Sequence, residues 1–138
     1  MSRIKQAGGR LFERLLRESG VEAFNGAQGR ILYVLWQRES MTISQIAHAT
    51  SLAKTTLTSM LERMQEAGLI ERTPDAANRR QVLIRLTDRA RGYRADYDRI
   101  SQRMNEIYYQ GFTQREVADL EDKLARILDN IERMEKTL

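Results

Sequence analysis

The hydrophobic period of the chain changes from that of a helix to that of a strand directly after Gly68. Before this glycine, apolar residues recur every three or four positions, as on one face of an amphipathic helix. Residues 69–73 and 81–86 are instead typical of two short strands, and in the second Val82, Ile84 and Leu86 alternate with the residues between them. The helical period returns after Thr87. This order predicts a mainly α-helical fold with a small β-hairpin.

Local signals predict where the helices begin and end. Three capping boxes, in which a side-chain acceptor stands three residues before Gln or Glu, predict helix N-termini. They are Asn25 with Gln28, Thr42 with Gln45, and Thr113 with Glu116. Further helices are expected at residues 4–18, from Lys54 to about Ala67, and from Thr87 until Gly111 interrupts the helix. The predicted order is helix, helix, short helix, helix, strand, strand, helix, helix.

Residues 25–90 have the element order of a helix-turn-helix followed by a hairpin, which together form a winged helix. In such a unit a short helix braces a second one, whose first turns enter the major groove of DNA. The outward side chains of this second helix are Lys54, Thr55, Thr56, Thr58 and Ser59. Hydroxyl groups can bond phosphates or base edges, and a lysine suits a phosphate. The alternative is that these residues are only the solvated face of an amphipathic helix.

The predicted hairpin adds a second cationic feature. Residues 74–80 are polar and turn-rich, so they are expected to form the hairpin tip, with Asn78, Arg79 and Arg80 held outward. A guanidinium on such a tip suits the narrow minor groove, where the negative potential is enhanced. Residues 1–94 carry 16 basic and 9 acidic side chains, whereas residues 95–138 carry 7 and 10. The imbalance favours a polyanion-facing part, although two arginines in a turn can also be ordinary surface charge.

The hairpin region resembles the wing of the MarR family of transcriptional regulators. That family has a Gly-Leu-Ile-x-Arg or Gly-Leu-Val-x-Arg run, an Asp-Arg-Arg-like tip and a strand that ends in Leu-Thr. The matching residues here are Gly68, Leu69, Ile70, Arg72, Asn78, Arg79, Arg80, Leu86 and Thr87. Upstream, residues 42–47 and Leu57-Thr58 are similar to the two helices that precede the wing. The resemblance covers essentially the whole chain, residues 1–138, as a single MarR-like domain.

The resemblance implies a homodimer on a roughly palindromic site in double-stranded DNA, with residues 1–20 and 105–138 as dimerisation helices. It also implies that Arg80 enters the minor groove and that Arg79 lies nearer to the backbone. Both end segments carry an apolar stripe, which a winged helix of roughly 60 residues cannot bury alone. Two recognition helices would then lie about one DNA turn apart. The alternative is a monomer whose terminal helices fold back as a bundle.

Two residues depart from the family pattern. Asn78 stands where the family usually has Asp, so its amide can accept a hydrogen bond but supplies no charge. Ala53 stands where the recognition helix often has a Ser-type cap. This replacement costs about 1 kcal/mol of helix-end stabilisation unless Ser51 substitutes as the cap.

Small-molecule sensing is a second function that the resemblance implies. The family's pocket lies where the dimerisation helices meet the DNA-binding lobe, so a small aromatic or amphipathic effector could release a repressor from its operator. Four aromatic residues could line such a pocket: Phe12, Tyr33, Trp36 and Tyr97. The alternative is that these side chains are part of the hydrophobic core.

Composition argues against several other function classes. Cysteine is absent, which excludes disulfides, thiolate zinc sites and thiol-based redox sensing. The single histidine, His48, has no acidic residue near it in sequence, so we expect no catalytic residue, metal site or cofactor. The chain has no apolar run of about 18 residues and no signal-peptide pattern, so a cytoplasmic protein without membrane contact is expected.

The sequence therefore predicts a sequence-specific DNA-binding transcriptional regulator that is not an enzyme and acts as a repressor. The competing hypothesis is a winged-helix adaptor that binds other proteins without specific DNA binding, because a fold does not dictate a function. The two arginines of the wing and the lysine and threonines of the recognition helix argue against the adaptor.

Overall fold

The computed structural model describes residues 2–138, which form a mainly helical fold with a small antiparallel sheet. The helices are α1 (Ser2–Glu18), α2 (Gly26–Trp36), α3 (Ile43–Thr50), α4 (Lys54–Glu66), α5 (Asp88–Arg91), α6 (Arg94–Tyr108) and α7 (Gln114–Thr137). The strands are β1 (Met41–Thr42), β2 (Ile70–Asp75) and β3 (Asn78–Leu86). The predicted fold class is confirmed. Two elements differ from the prediction, because β1 is an additional strand and the predicted fifth helix is divided into α5 and α6.

The three predicted capping boxes are present at the starts of α2, α3 and α7. At α3, the Thr42 hydroxyl accepts a hydrogen bond from the backbone N–H of Gln45 at 3.2 Å. The Gln45 side chain accepts one from the backbone N–H of Thr42 at 3.0 Å. Each box satisfies two N–H groups that a helix leaves without partners, which is why these helix starts could be predicted from local sequence.

The chain forms two compact units, with the boundary between Gln102 and Arg103. The first unit contains α1 to α5, the sheet and most of α6, and the second contains the end of α6 and α7. All residues that the sequence predicts to contact DNA lie in the first unit.

One apolar face fixes α4 in the core of the first unit. Leu57, Leu61 and Met64 are fully buried, and their spacing places them on one side of the helix. They belong to one cluster with side chains of α2, α3 and β3, namely Ile31, Leu32, Leu35, Ile46, Ile84 and Leu86. Burial of each large apolar side chain contributes roughly 1.5–3 kcal/mol of transfer free energy. The opposite side of α4 therefore faces solvent.

The sheet has three antiparallel strands in the order β1-β3-β2. Met41 of β1 pairs with Ile84 of β3, and Thr42 pairs with Leu83. The strand β1 consists of two residues, which are too few to show a period, so only its pairing with β3 defines it. This pairing connects the start of α3 to the base of the hairpin.

The hairpin tip is shorter than residues 74–80, the range that the sequence predicts. The strand β2 continues through Asp75 and β3 begins at Asn78, so the turn consists of residues 76 and 77. The predicted boundary was therefore wrong, since strand propensity does not reveal the backbone pairing of polar residues next to a turn. The three residues predicted at the tip are instead the first three residues of β3.

The predicted fifth helix is interrupted at Gly92. Thr87 caps α5 as expected, its hydroxyl accepting a hydrogen bond from the N–H of Ala90 at 3.2 Å. The N–H of Tyr93 then bonds to the carbonyl of Ala90, three residues back, at 3.2 Å. This tighter turn and the low helix propensity of glycine separate α5 from α6. The apolar spacing continues across the break, which is why the sequence pattern predicts one helix.

The second unit is a turn followed by α7. Gly111 has a φ of +86°, a conformation that glycine adopts without strain. The ring of Tyr109 packs on Phe112 with centroids 5.8 Å apart, and its hydroxyl donates to Glu121 Oε1 at 3.1 Å. Along α7, large apolar side chains at helical spacing remain exposed: Leu124, Ile127, Leu128, Ile131 and Met134. Neither α7 nor another helix within residues 2–138 is long and apolar enough to cross a membrane.

Candidate nucleic-acid interface

The solvent side of α4 carries the five residues that the sequence predicts to read DNA. Lys54, Thr55, Thr56 and Ser59 are exposed, and Thr58 is half-buried. All five lie in the first two turns, because the helix begins at Lys54. A recognition helix needs this combination of a fixed apolar face and a polar, solvent-facing start.

The hydroxyl of Thr58 is already engaged within the helix. It donates a hydrogen bond to the carbonyl oxygen of Lys54 at 2.8 Å, a common bond for threonine in helices. Its oxygen keeps its capacity to accept, and its methyl group is free for apolar contact. Thr58 is therefore suited to a base-edge donor or a thymine methyl and not to a phosphate, which only accepts.

The N-terminus of α4 has no side-chain cap. The N-cap residue is Ala53, with φ −65° and ψ 143°, and it makes no side-chain cap hydrogen bond. Ser51 does not substitute, since it ends α3 in a left-handed conformation with φ 59°. The first backbone bond of α4 runs from Leu57 N–H to the Ala53 carbonyl at 2.9 Å. The N–H groups of residues 54–56 thus remain available at the positive end of the helix.

The two arginines of the hairpin lie in a β-bulge. Pro74 pairs with Val82, whereas the next residue of β2 already pairs with Asn78. Residues 79–81 of β3 therefore have no opposing residue on β2, and such extra residues bend a strand outward. Arg79 and Arg80 are both exposed. The ion pairs formed within residues 2–138 involve other arginines, so both charges are unneutralised.

Two short polar side chains stabilise the backbone at the bulge and turn. Asn78 Oδ1 accepts a hydrogen bond from the N–H of Arg80 at 3.1 Å, and Asp75 Oδ1 accepts one from the N–H of Ala77 at 2.9 Å. Both are local side-chain-to-backbone bonds of the kind that Asn and Asp form in turns. The sequence identified Asn78 as a candidate, but not the bulge that it supports.

An ion pair fixes the base of the hairpin. Arg85 Nη2 of β3 lies 3.1 Å from Glu39 Oε1, in the segment before β1. Both side chains are partly exposed, at 38% and 78%, so solvent screens the pair and its contribution to stability is small. Its effect is geometric, because it connects β3 to the chain that leads into the helix-turn-helix.

Comparison with known proteins decides the family. The family model of MarR matches residues 24–82. The uncharacterized HTH-type transcriptional regulator YsmB of Bacillus subtilis (strain 168) is 32% identical over 101 residues, which are 72% of this chain and 68% of YsmB. This chain belongs to the MarR family.

Two further comparisons support this assignment. The HTH-type transcriptional regulator TtmR of Methylorubrum extorquens (strain PA1) is 33% identical over 101 residues, and the match covers 73% of this chain. The chain spans about half the length of TtmR, since the match covers 51% of it. A mutant of E. coli MarR in complex with operator DNA has a TM-score of 0.82 and 26% identity, covering 92% of this chain and 89% of that one. The named relatives are transcriptional regulators and not enzymes.

In this MarR family protein, the start of α5 holds the C-terminal end of α4. The Thr87 hydroxyl donates to the carbonyl of Gly68 at 2.7 Å, and Arg89 Nη1 donates to the carbonyl of Ala67 at 3.3 Å. Helix C-termini expose carbonyls that such donors satisfy, and a cation is favourable there. Sequence reasoning assigned Thr87 only as a helix cap and missed Arg89, because nothing local connects either residue with a carbonyl about 20 positions earlier.

The four residues predicted to line an effector pocket of this MarR family protein meet at the ring of Tyr97. Ring centroids of Phe12, Tyr33 and Trp36 lie 5.8, 5.8 and 5.3 Å from that of Tyr97. Burial raises the pKa of the Tyr97 phenol. The rings thus pack largely on one another. A cleft of about 440 Å³ lies beside them, lined by Trp36 and by Leu35, Gln37, Arg38, Glu39, Leu86, Arg91 and Arg94.

Proposed function

We propose that this protein is a cytoplasmic, sequence-specific regulator of transcription that binds double-stranded DNA, and that it represses by occupying its operator as a homodimer. One observation carries the proposal. The polar start of α4 and the cationic bulge of β3 belong to the same compact unit, joined through β2. Two such elements held on one compact unit can contact adjacent grooves at once.

The first turns of α4 would read the major groove. The free N–H groups of residues 54–56 and the ammonium of Lys54 suit a phosphate. Thr58 and Ser59 are placed one turn further along the helix, where their side chains can reach base edges. Thr55 and Thr56 are exposed beside them. The helix would therefore fix its register through phosphates and select sequence through short hydroxyl side chains.

The wing would contribute electrostatic affinity from the minor groove. Arg80 is proposed as the residue that enters the groove, with Arg79 toward the backbone and Asn78 holding the bulge in shape. The two exposed guanidinium groups have no acidic partner within residues 2–138. Uncompensated charge at a narrow groove favours DNA of any sequence, so the wing would support affinity more than selectivity.

Dimer formation is proposed through helices at both ends of the chain, residues 1–20 and 105–138. The support is apolar surface that this chain leaves exposed, with Ile131 at 53% and Met134 at 59% on α7 and Ile4 at 66% on α1. Contiguous exposed apolar side chains of this kind mark interaction surfaces. A twofold axis would give two recognition helices and a pseudo-palindromic operator.

A small aromatic or amphipathic effector is proposed to control DNA binding. The support is the aromatic cluster around Tyr97, in which α1 and α6 contribute one ring each and α2 contributes two. An effector that separates these rings would displace α2 relative to α6. A displacement of α2 would alter the half-site geometry because α2 packs directly on α3. An effector shifts binding only if its affinity differs between the two arrangements.

Binding to the gene's own upstream DNA tests the proposed DNA function. Fluorescence anisotropy with labelled upstream DNA and with a mixed-sequence duplex of equal length should give tighter binding to the upstream DNA. Genome-wide mapping of bound sites should recover a motif with twofold symmetry. Equal binding to both duplexes, or none to either, would contradict the proposal and favour the adaptor hypothesis.

The dimer is tested by the molar mass in solution. Light scattering should give twice the 16.1 kDa chain mass. Ile131→Glu should shift the protein toward the monomer, since it places a charge in the middle of the exposed apolar stripe of α7. Ala118→Glu, on the opposite side of the same helix, is the matched control and should remain dimeric. A wild-type protein with the mass of one chain would overturn the proposed homodimer.

A further inference from the structure

Two guanidinium nitrogens without a hydrogen-bond partner in the described part of the chain lie on β2, the first strand of the wing. The Nε and Nη2 atoms of Arg72 are buried and have no hydrogen-bond partner within residues 2–138. Burying hydrogen-bond donors without acceptors is costly, and more so for a charged group. Folding alone therefore gives no reason for an arginine at this position.

The register of the sheet shows which side Arg72 faces. Arg72 pairs with Ile84, and Ile84 pairs with Met41. Residues directly opposite one another in antiparallel strands point to the same side of the sheet. Ile84 and Met41 are buried in the core, and α4 packs on β2. Arg72 thus lies on the core side of β2, the strand that directly follows α4 in the chain.

The two unpartnered nitrogens define the chemistry of a ligand. Nε–H and one Nη2–H of a guanidinium point in parallel, so together they bind two oxygens of one planar or tetrahedral anion. Ion pairs within residues 2–138 do not include Arg72. The residue as a whole is half-buried, so part of its side chain already reaches solvent.

We propose that Arg72 is a DNA-contacting residue that binds one phosphate of the backbone in the bidentate mode, at the junction between α4 and the wing. This rests on the proposed DNA-binding function. A phosphate is favoured over a small free anion because both elements that flank Arg72 are those proposed to lie in adjacent grooves, and the phosphates between two grooves pass this junction. Contact with DNA would satisfy donors that the free protein leaves unpaired.

Arg85 provides a matched comparison on the neighbouring strand. It pairs with Glu71 and so faces the opposite side of the sheet. Its Nε is also unpartnered, but its Nη2 bonds to Glu39 Oε1 at 3.1 Å. Arg85 therefore has a structural partner within the chain, whereas Arg72 has none. The same substitution at the two positions should therefore have different consequences, with DNA binding weakened only at Arg72.

The test compares Arg72→Met with Arg85→Met in full-length protein, by thermal unfolding and by DNA binding at several salt concentrations. Arg72→Met should leave Tm unchanged or raise it, weaken DNA binding by roughly 10-fold or more, and reduce the log–log salt slope by about 0.9 for each protomer. Arg85→Met should lower Tm slightly, because the exposed pair with Glu39 contributes little to stability, and should keep the salt slope. Arg72→Lys should keep the salt slope but bind more weakly than wild type, since an ammonium cannot make the bidentate contact.

Four results would overturn the inference. A lower Tm for Arg72→Met with an unchanged salt slope would make the residue structural. A rise in Tm of the wild type with inorganic phosphate, absent in Arg72→Met while both bind DNA equally, would assign the site to a free anion. If wild type binds DNA and Arg72→Met binds it with equal affinity, only this inference is overturned. Wild type that binds no DNA overturns the proposed function as well.

Discussion

The side-chain oxygen of Asn78 accepts a hydrogen bond from the backbone N–H of Arg80 at 3.1 Å. A neutral amide thus supports the wing through the backbone of the arginine and not through its guanidinium. An aspartate, which the MarR pattern favours here, would offer the same acceptor with a charge. The departure from the family pattern therefore keeps the shape of the bulge and leaves the Arg80 side chain free.

Replacing Asn78 by alanine should loosen the wing without unfolding the protein. The hydrogen bond is exposed, so water takes the place of the amide and Tm should change little. DNA binding should weaken by about 2-fold to 10-fold, the equivalent of one hydrogen bond. Amide exchange at Arg80 should become faster. Asn78→Asp is the control and should keep the slow exchange, while equal exchange in Asn78→Ala would contradict this account of the bulge.

Arg80→Ala should weaken binding to operator and to mixed-sequence DNA alike. The proposed minor-groove contact is electrostatic, so its loss should also make the log–log salt slope shallower, by about 0.9 for each phosphate that is no longer neutralised. Fluorescence anisotropy across a salt series measures both effects. Arg115→Ala, an exposed arginine of α7, should bind as wild type. Unchanged affinity and slope in Arg80→Ala would show that the wing assignment is wrong.

Ala53→Ser should stabilise the protein, because α4 begins without a side-chain cap. A serine at this N-cap can accept a hydrogen bond from a free N–H of the first turn, which contributes about 1 kcal/mol. Urea unfolding should show the higher midpoint with the same slope. Ala49→Ser, inside α3, provides no cap and should be neutral or slightly destabilising. Equal urea midpoints for the two variants would mean that the backbone N–H groups at the start of α4 already have other hydrogen-bond partners.

Gly29→Ala should destabilise the first unit. A Cβ at this position would lie 2.7 Å from Tyr97 Cε2 and 3.3 Å from Phe24 Cε2, and the packed rings leave little room to move. Overpacking of this kind costs about 1–3 kcal/mol. Gly9→Ala in α1 is the control, since its Cβ would meet nothing within 4 Å, and it should stabilise by about 0.5–1 kcal/mol. A Gly29→Ala protein as stable as wild type in urea would show that Tyr97 moves freely.

The helix starts and the end of α4 could be predicted from the sequence because they depend on neighbours. A capping box needs two residues three positions apart, as in Thr42 and Gln45. The C-terminus of α4 needs only Gly68, whose φ of +77° is favourable without a Cβ. The apolar face of α4 likewise follows from spacing within one helix. Short-range interactions of this kind can be derived from the printed sequence.

Elements that depend on distant pairing could not be predicted. The strand β1 exists because Met41 pairs with Ile84, far along the chain. The bulge at residues 79–81 depends on how β2 and β3 align, and turn composition does not determine that alignment. The contacts of Thr87 and Arg89 with the end of α4 also join residues that are distant in sequence, so they could not be predicted either.

For the candidate site, the sequence by itself determined which residue types are available, and the tertiary structure decided what each can do. Sequence reasoning selected Thr58 for its hydroxyl, but the helix uses that donor on Lys54. Arg72 belongs to the run that resembles the family, but only the sheet register places it on the core side of β2, where two of its nitrogens have no acceptor among the described residues. The reason is physical. Residue identity determines which bonds a side chain can form, whereas burial and the positions of distant partners determine which of those bonds are satisfied.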